Sequence, residues 1–141
     1  MLLHPNVLFA LGDGGAHVGT ICDASSTTTL LAHWAVQRTR GDKLPLAYVV
    51  NLLTQRNAQH MGLTDRGSIA VGQQADINVV DLQALALPLP QVVRDLPAGG
   101  RRVMQKSRGY VATLVGGVPV VENGEITAAR PGRWLKASGA L

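Results

Sequence analysis

A chain of 141 residues can bury one real core, but it falls short of the roughly 250 residues of a complete (β/α)8 barrel enzyme. Apolar residues at 46% exclude a disordered chain, and aromatics at only 4% leave packing to Leu, Val and Ala and argue against base-stacking nucleic-acid modules. The net charge of +4 is dispersed, and its local groups, Arg38/Arg40/Lys43 and Arg101/Arg102/Lys106/Arg108, read as solvated surface, so no nucleic-acid partner is expected.

Val7 to Leu11 is a continuous apolar run between Pro5-Asn6 and Gly12. It predicts a strand buried on both faces, as in a parallel sheet. Gly12-Asp13-Gly14-Gly15-Ala16-His17-Val18-Gly19 follows, a loop in which the backbone turns sharply or approaches a ligand closely. Asp23, Ser25 or Ser26 is placed to cap a first helix, with Leu30, Leu31, Trp34 and Ala35 on one face and Gly41 as its stop. Pro45 opens a second helix. Its face carries Leu46, Val49, Val50, Leu53 and Asn57, and Gly62 ends it.

Beyond Gly67 the period changes. Ser68 to Asp81 predicts two short strands around Gly72, the second over 75–81 with Ile77, Val79 and Val80. Leu82 to Gly100, with Pro88, Pro90, Pro97 and Gly99-Gly100, predicts a long connection holding at most a short strand at Val92-Val93. Tyr110 to Val115 and Val118 to Glu122 form a hairpin around Gly116-Gly117, and Asn123-Gly124 turns the chain into Glu125-Ile126-Thr127. There is no internal repeat and no low-complexity tract. A lone parallel-type strand followed by helices and then only strands is odd for a self-contained fold. The start of the chain therefore reads as the end of something larger.

Asp13 is the leading catalytic candidate, because it sits just past the C-terminal end of a buried strand, where barrel enzymes place catalytic side chains. A carboxylate there can act as general acid or base, or simply bond its own loop amides. His17 lies four residues on and could share a metal or a substrate with it. Cys22-Asp23 could add to such a site, though a free cysteine is more often a small buried hydrophobe. His4, His33 and His60 are scattered on unrelated elements. No H-x-H, H-E-x-x-H or C-x-x-C occurs, so no complete metal site is expected. Gly12-Asp13-Gly14-Gly15 lacks both the G-x-G-x-x-G spacing and the lysine of a phosphate cradle. The single Cys22 makes no internal disulfide, no run of about 18 apolar residues spans a membrane, and the N-terminus is too broken by Pro5 and Asn6 for a signal peptide. No membrane partner and a cytoplasmic location are the expectations.

Three stretches together resemble the amidohydrolase superfamily, and within it the D-aminoacylase (N-acyl-D-amino-acid deacylase) branch. Val7 to His17 is similar to that branch's last barrel strand and its catalytic aspartate. Gly62-Leu63-Thr64-Asp65-Arg66-Gly67-Ser68-Ile69-Ala70-Val71-Gly72-Gln73-Gln74-Ala75-Asp76-Ile77-Asn78-Val79-Val80-Asp81 resembles the segment where amidohydrolases leave the barrel for a small β-sandwich. Val115 to Gly124 is like the closing hairpin, and Thr127 to Leu135 like the usual ending. Cys22-Asp23-Ala24-Ser25 after the Asp13 loop points to the branch, whereas Gly12 stands where many relatives carry serine.

The resemblance implies an α/β start at 1–66, the last strand and helices of a (β/α)8 barrel, and a share of a composite β-sandwich at 67–141. As 141 residues the fold is incomplete. It implies Zn²⁺ held by upstream residues in the full-length enzyme, with none bound tightly by this chain alone. Asp13 is implied as the proton carrier, Gly14 and Gly15 allow close approach of an N-acyl amino acid substrate, and His17 touches it. The isolated piece is expected to be inactive and, with apolar faces and strand edges open, to self-associate. Another amidohydrolase activity, on a cyclic amide or as a deaminase, fits the same scaffold, as does a binding or oligomerisation module that has lost the chemistry.

Overall fold

The computed structural model describes residues 1–10 and 17–135. These form two compact units that interleave along the chain. One comprises Met1–Phe9, Val50–Asp81 and the chain from Tyr110 on; the other comprises Ala10–Val49 and Leu82–Gly109.

In the second of these units a single 3-10 turn, Asp23–Ser25, runs into α1, Ser26–Thr29, and on into a wide π-helical stretch, Leu30–Gln37. The widening shows at its end, where the Arg38 N–H reaches back five residues to the His33 carbonyl at 2.8 Å. The expected helix is present, but with different ends. Neither Cys22 nor Ser25 caps it through a side chain, and it stops at Gln37 rather than at Gly41. The stop has a physical cause. Arg38 leaves helical geometry at ψ 129, and its guanidinium lies over the Trp34 ring, 4.1 Å from the centroid. Leu30, Leu31 and Ala32 are buried, as are Leu44, Val49 and Leu85. The Leu44 N–H bonds the Trp34 carbonyl at 2.9 Å, and the Gln37 amide donates to the Leu85 carbonyl at 3.0 Å.

The same unit holds a hairpin where a long connection was expected. Strand β2, Gln91–Leu96, pairs antiparallel with β3, Gly100–Met104, across the turn Pro97–Gly99. The short strand expected at Val92-Val93 lies inside β2 but underestimates it, because Arg94-Asp95 interrupts the apolar alternation, and the register slips between Val93 and Leu96 at the same place. Asp95 is not a breaker here, because Arg102 on β3 grips it with two N–H donors, at 2.8 and 2.6 Å.

The expected second helix is two helices. α2, Leu46–Leu53, and α3, Gln55–His60, are separated by Thr54 at φ −129, ψ −96. The Thr54 hydroxyl donates back to the Val50 carbonyl at 2.7 Å, the local bonding by which threonine competes with helix continuation. The buried positions agree with the expected face only in part. Val49 is fully buried as expected, but so is Leu52, which was not on that face, while Leu46 and Val50 are exposed. Gly62 does end α3, in a Schellman motif with Leu63 N–H to Ala58 C=O at 2.8 Å and Gly62 N–H to Gln59 C=O at 3.1 Å.

Strand β1, Ile77–Val80, opens a four-stranded antiparallel sheet of order β1-β4-β5-β6, with β4 at Tyr110–Val115, β5 at Val118–Glu122 and β6 at Glu125–Ile126. The turns set the register. Gly116 and Gly117, at φ 58 and 78, supply the two positive φ angles of a type I′ turn, and Asn123-Gly124 does so again at φ 50 and 83. These strands and turns stand where the sequence places them.

Two expected strands are absent among the described residues. Ser68 to Val71 forms none, and its apolar side chains, Ile69 and Val71, are 88% and 107% exposed. Val7 to Ala10 has no strand partner either, and Leu11 lies outside the described residues. A parallel strand exists only by pairing with a neighbour, and no described strand pairs with this one. Instead the Phe9 carbonyl accepts from the Asn57 side-chain amide at 2.8 Å. Helices followed by antiparallel sheet is the observed architecture.

Candidate functional site

Asp13, Gly14 and Gly15 lie outside the described residues. The chain on either side of them is held in place. Upstream, the Arg56 guanidinium donates to the Pro5 carbonyl and Asn57 to that of Phe9, so two consecutive α3 side chains hold the incoming segment. Downstream, His17 is at φ 53, a left-handed conformation uncommon for residues other than glycine. Its carbonyl accepts the N–H groups of Thr20 and Ile21 at 2.8 and 3.0 Å and the Thr20 hydroxyl at 3.2 Å. The backbone thus closes a tight turn at His17 and leaves its side chain exposed. Val18 is then tied to β3, its carbonyl accepting the Val103 N–H at 2.7 Å.

Cys22 is half-buried and Asp23 exposed, at the start of the first helical turn. The Ser25 hydroxyl, three residues on, donates to the Gln105 side-chain carbonyl. Gln105 in turn donates to the Pro88 carbonyl at 2.8 Å. Sequence reading found neither Gln105 nor the β3 contact, because nothing in a pattern of periodicity joins positions 80 residues apart.

The other histidines have surroundings of their own. His4 accepts the Asn6 N–H on its Nδ1 at 3.2 Å, His33 stands edge-on to Trp34 with centroids 5.7 Å apart, and His60 closes α3. Among the described residues no three His, Cys, Asp or Glu side chains are grouped as a metal site. The described residues therefore do not supply a ligand set for the metal the resemblance implies.

The strongest polar constellation lies elsewhere, in the stretch 62–81. Arg66 reaches Asp65 with two donors, at 2.9 and 3.0 Å, and Asp76 with a third at 2.6 Å. The second oxygen of Asp76 accepts the Gly116 N–H at 2.9 Å, at the β4–β5 turn. The loop is further stitched by Gln74 N–H to Asp65 C=O at 2.6 Å and Gly117 N–H to Ala75 C=O at 2.9 Å. The Arg66 hydrogen bond holds the Asp65 carboxyl below the ordinary carboxylate value, and the Arg102 hydrogen bond does the same for Asp95. All four carboxylate oxygens of Asp65 and Asp76 accept a hydrogen bond, which makes the cluster a clasp. It explains why Asp65, Arg66 and Asp76 belong together in one segment.

The chain matches the profile of the Amidohydrolase family over residues 1–121. It is 36% identical over 121 residues to the allantoinase of Deinococcus radiodurans, a stretch covering 84% of this chain and 25% of that protein. The chain thus spans about a quarter of the length of the curated relative it matches. No solved structure matches it. No described helix is long and apolar enough to cross a membrane. A family match over most of the chain, with the Asp65–Arg66–Asp76 clasp built inside it, leads to one assignment: this chain belongs to the amidohydrolase family.

Proposed function

We propose that the chain is the C-terminal share of a metal-dependent amidohydrolase that cleaves a non-peptide C–N amide bond, and that N-acyl-D-amino acids are its substrate class. The family match over residues 1–121 carries the reading. The Asp13 loop followed by Cys22-Asp23-Ala24-Ser25 supports the D-aminoacylase branch. In this reading residues 1–66 close the barrel and 67–141 contribute to a composite β-sandwich. Zinc, held by other parts of the whole protein, supplies Lewis-acid polarisation of the amide carbonyl. Asp13 takes a proton from the attacking water and hands it to the leaving nitrogen as the C–N bond breaks. Gly14 and Gly15 let the substrate come close to the backbone, and His17, exposed on its tight turn, is a contact for the substrate carboxylate. The 141 residues alone are inactive and self-associate through apolar surface such as Ile69 and Val71. The cytoplasm is the proposed compartment, on the single cysteine.

A second reading, hydrolysis of a cyclic amide, is favoured by the 36% identity to an allantoinase. The test uses the whole protein loaded with zinc and offered N-acetyl-D-leucine, N-acetyl-L-leucine and allantoin. Preferential release of D-leucine, reduced about 10²- to 10⁴-fold by Asp13→Asn, is the expected result. Turnover of allantoin without deacylation moves the assignment to the second reading. Turnover of none of the three, or full activity in Asp13→Asn, sinks the hydrolase assignment made here.

A further inference from the structure

We propose that Arg38 anchors an oxyanion-binding site, taking a carboxylate or a phosphate that the described residues do not supply. Its guanidinium is set apart by what it lacks. Four arginines are half-buried: Arg38, Arg56, Arg66 and Arg102. Arg56 donates to the Pro5 carbonyl, Arg66 to Asp65 and Asp76, and Arg102 to Asp95. The Arg38 side chain donates to no acceptor among the described residues, and its Nε is enclosed without a partner. A cation partly withdrawn from water and left unpaired is costly. An arginine at the end of a helix ordinarily bonds the last free carbonyls. Here that task is already filled by backbone: the His33 carbonyl accepts the Arg38 N–H at 2.8 Å, and the Trp34 carbonyl accepts the Leu44 N–H at 2.9 Å.

The guanidinium is also held still. It lies over the Trp34 ring, 4.1 Å from the centroid. Gly41, at φ 75, approaches so closely that an added Cβ would stand 3.1 Å from Nη2. The Leu44–Trp34 bond closes the loop 38–43 onto the same helix end, within one compact unit. Much of the side-chain freedom that a ligand would take away is therefore gone beforehand. With Nε shut in, the two terminal nitrogens are the donors that remain, and a parallel pair of N–H groups matches two oxygens of a carboxylate or phosphate. The loop adds the exposed Arg40 and Lys43, against one exposed carboxylate, Asp42. Sequence reads Arg38, Arg40 and Lys43 alike as solvated surface, and the stacking on Trp34 separates the first from the other two. Two sources carry the same chemistry: a small anion from solution, or an acidic side chain in the rest of the whole protein.

The experiment uses the whole protein labelled with 15N-arginine, the Arg38 signals being identified by their loss in Arg38→Lys. That variant keeps a cation at the helix end but removes the paired donors. Sodium phosphate and sodium acetate are titrated in at an ionic strength held constant with sodium chloride. With a solution anion, the Arg38 signals shift saturably. Calorimetric affinity then falls about tenfold or more in Arg38→Lys and stays within about threefold in Arg40→Gln. With an acidic side chain, neither salt moves the signals, and the terminal Arg38 protons exchange with water at least about tenfold more slowly than those of Arg40 before any salt is added. Terminal protons that exchange as fast as those of Arg40, with no response to phosphate or acetate beyond that to chloride, overturn the proposal. So does phosphate binding of equal strength in Arg38→Lys, or one that Arg40→Gln weakens as much as Arg38→Lys does.

Discussion

Gly67 stands at the junction of α3 and the clasp loop, and replacing it with alanine tests how tightly that junction is closed. Its φ is 93, and an added Cβ would sit 2.8 Å from the Gln55 Cα and 2.9 Å from the Ala58 Cβ. Carbon contacts are comfortable at about 3.5–4.0 Å, so the α3 backbone must retreat by roughly 0.7 Å. Gly72 provides the internal control, because its φ is 87 but a Cβ there meets nothing within 4 Å. Both substitutions incur the left-handed backbone cost, about 1–2 kcal/mol. Only Gly67→Ala adds overpacking, about 1–3 kcal/mol. The difference between the two variants isolates that term. Native-state hydrogen exchange in the whole protein reads it locally, at the Ala58, Met61 and Leu63 amides, which bond Thr54, Asn57 and Ala58. Protection there should fall about 5- to 150-fold further in Gly67→Ala than in Gly72→Ala. Equal losses in the two would show that the loop does not close on α3 and would refute the steric account.

Leu52→Ala should cost about 2–5 kcal/mol in thermal or denaturant unfolding, against less than about 1 kcal/mol for Leu46→Ala, since Leu52 is fully buried and Leu46 is 39% exposed. The reverse order would restore the face that periodicity alone predicts. Asp65 and Asp95 should titrate below the ordinary 3.8 by carboxylate NMR, and Arg66→Met should return Asp65 upward. The sign follows from a folded pKa below the unfolded one. Their contribution is present above about pH 4 and is lost as pH falls through the folded values, so neither group makes stability vary between about pH 5 and pH 8. A carboxyl found at or above 3.8 in the folded protein would contradict the arginine hydrogen bonds.

The sheet β1-β4-β5-β6 was readable because its turns are chemically forced. Gly116-Gly117 and Asn123-Gly124 tolerate the positive φ of two-residue hairpins, and the flanking runs alternate as strands do. Gly62 was readable as a helix end for a similar local reason. The errors fall where a distant partner decides. Ile69 and Val71 look like strand residues but have no strand beside them. Arg94-Asp95 looks like a break until Arg102 is brought opposite. Thr54 divides a helix whose apolar spacing continues through it. The candidate site shows the same division. His17 and Asp13 are proposed from sequence position alone, one in the glycine loop and the other after the apolar run. Gln105, in a polar stretch with no motif of its own, could be found only through the Ser25 hydroxyl that it accepts. The Arg66 clasp lay inside a segment whose resemblance was plain, yet its pairing with Asp76 and the Gly116 amide is a fact of three dimensions.

The interleaving of the two compact units bears on the order in which the chain can acquire its structure during synthesis. Met1–Phe9 belongs with Val50–Asp81 and the residues from Tyr110 on, and Ala10–Val49 with Leu82–Gly109. At about 5–20 residues per second, the ribosome leaves Pro5 and Phe9 without Arg56 and Asn57 for roughly 2–10 s. The Val18 and Ser25 contacts likewise wait for Val103 and Gln105 to emerge. Of the described pieces, α2 and α3 and the β4–β5–β6 meander close on local sequence alone, and these can form first. Everything tied to the outgoing arm of the Asp13 loop is assembled late, from strands made near the other end of the chain.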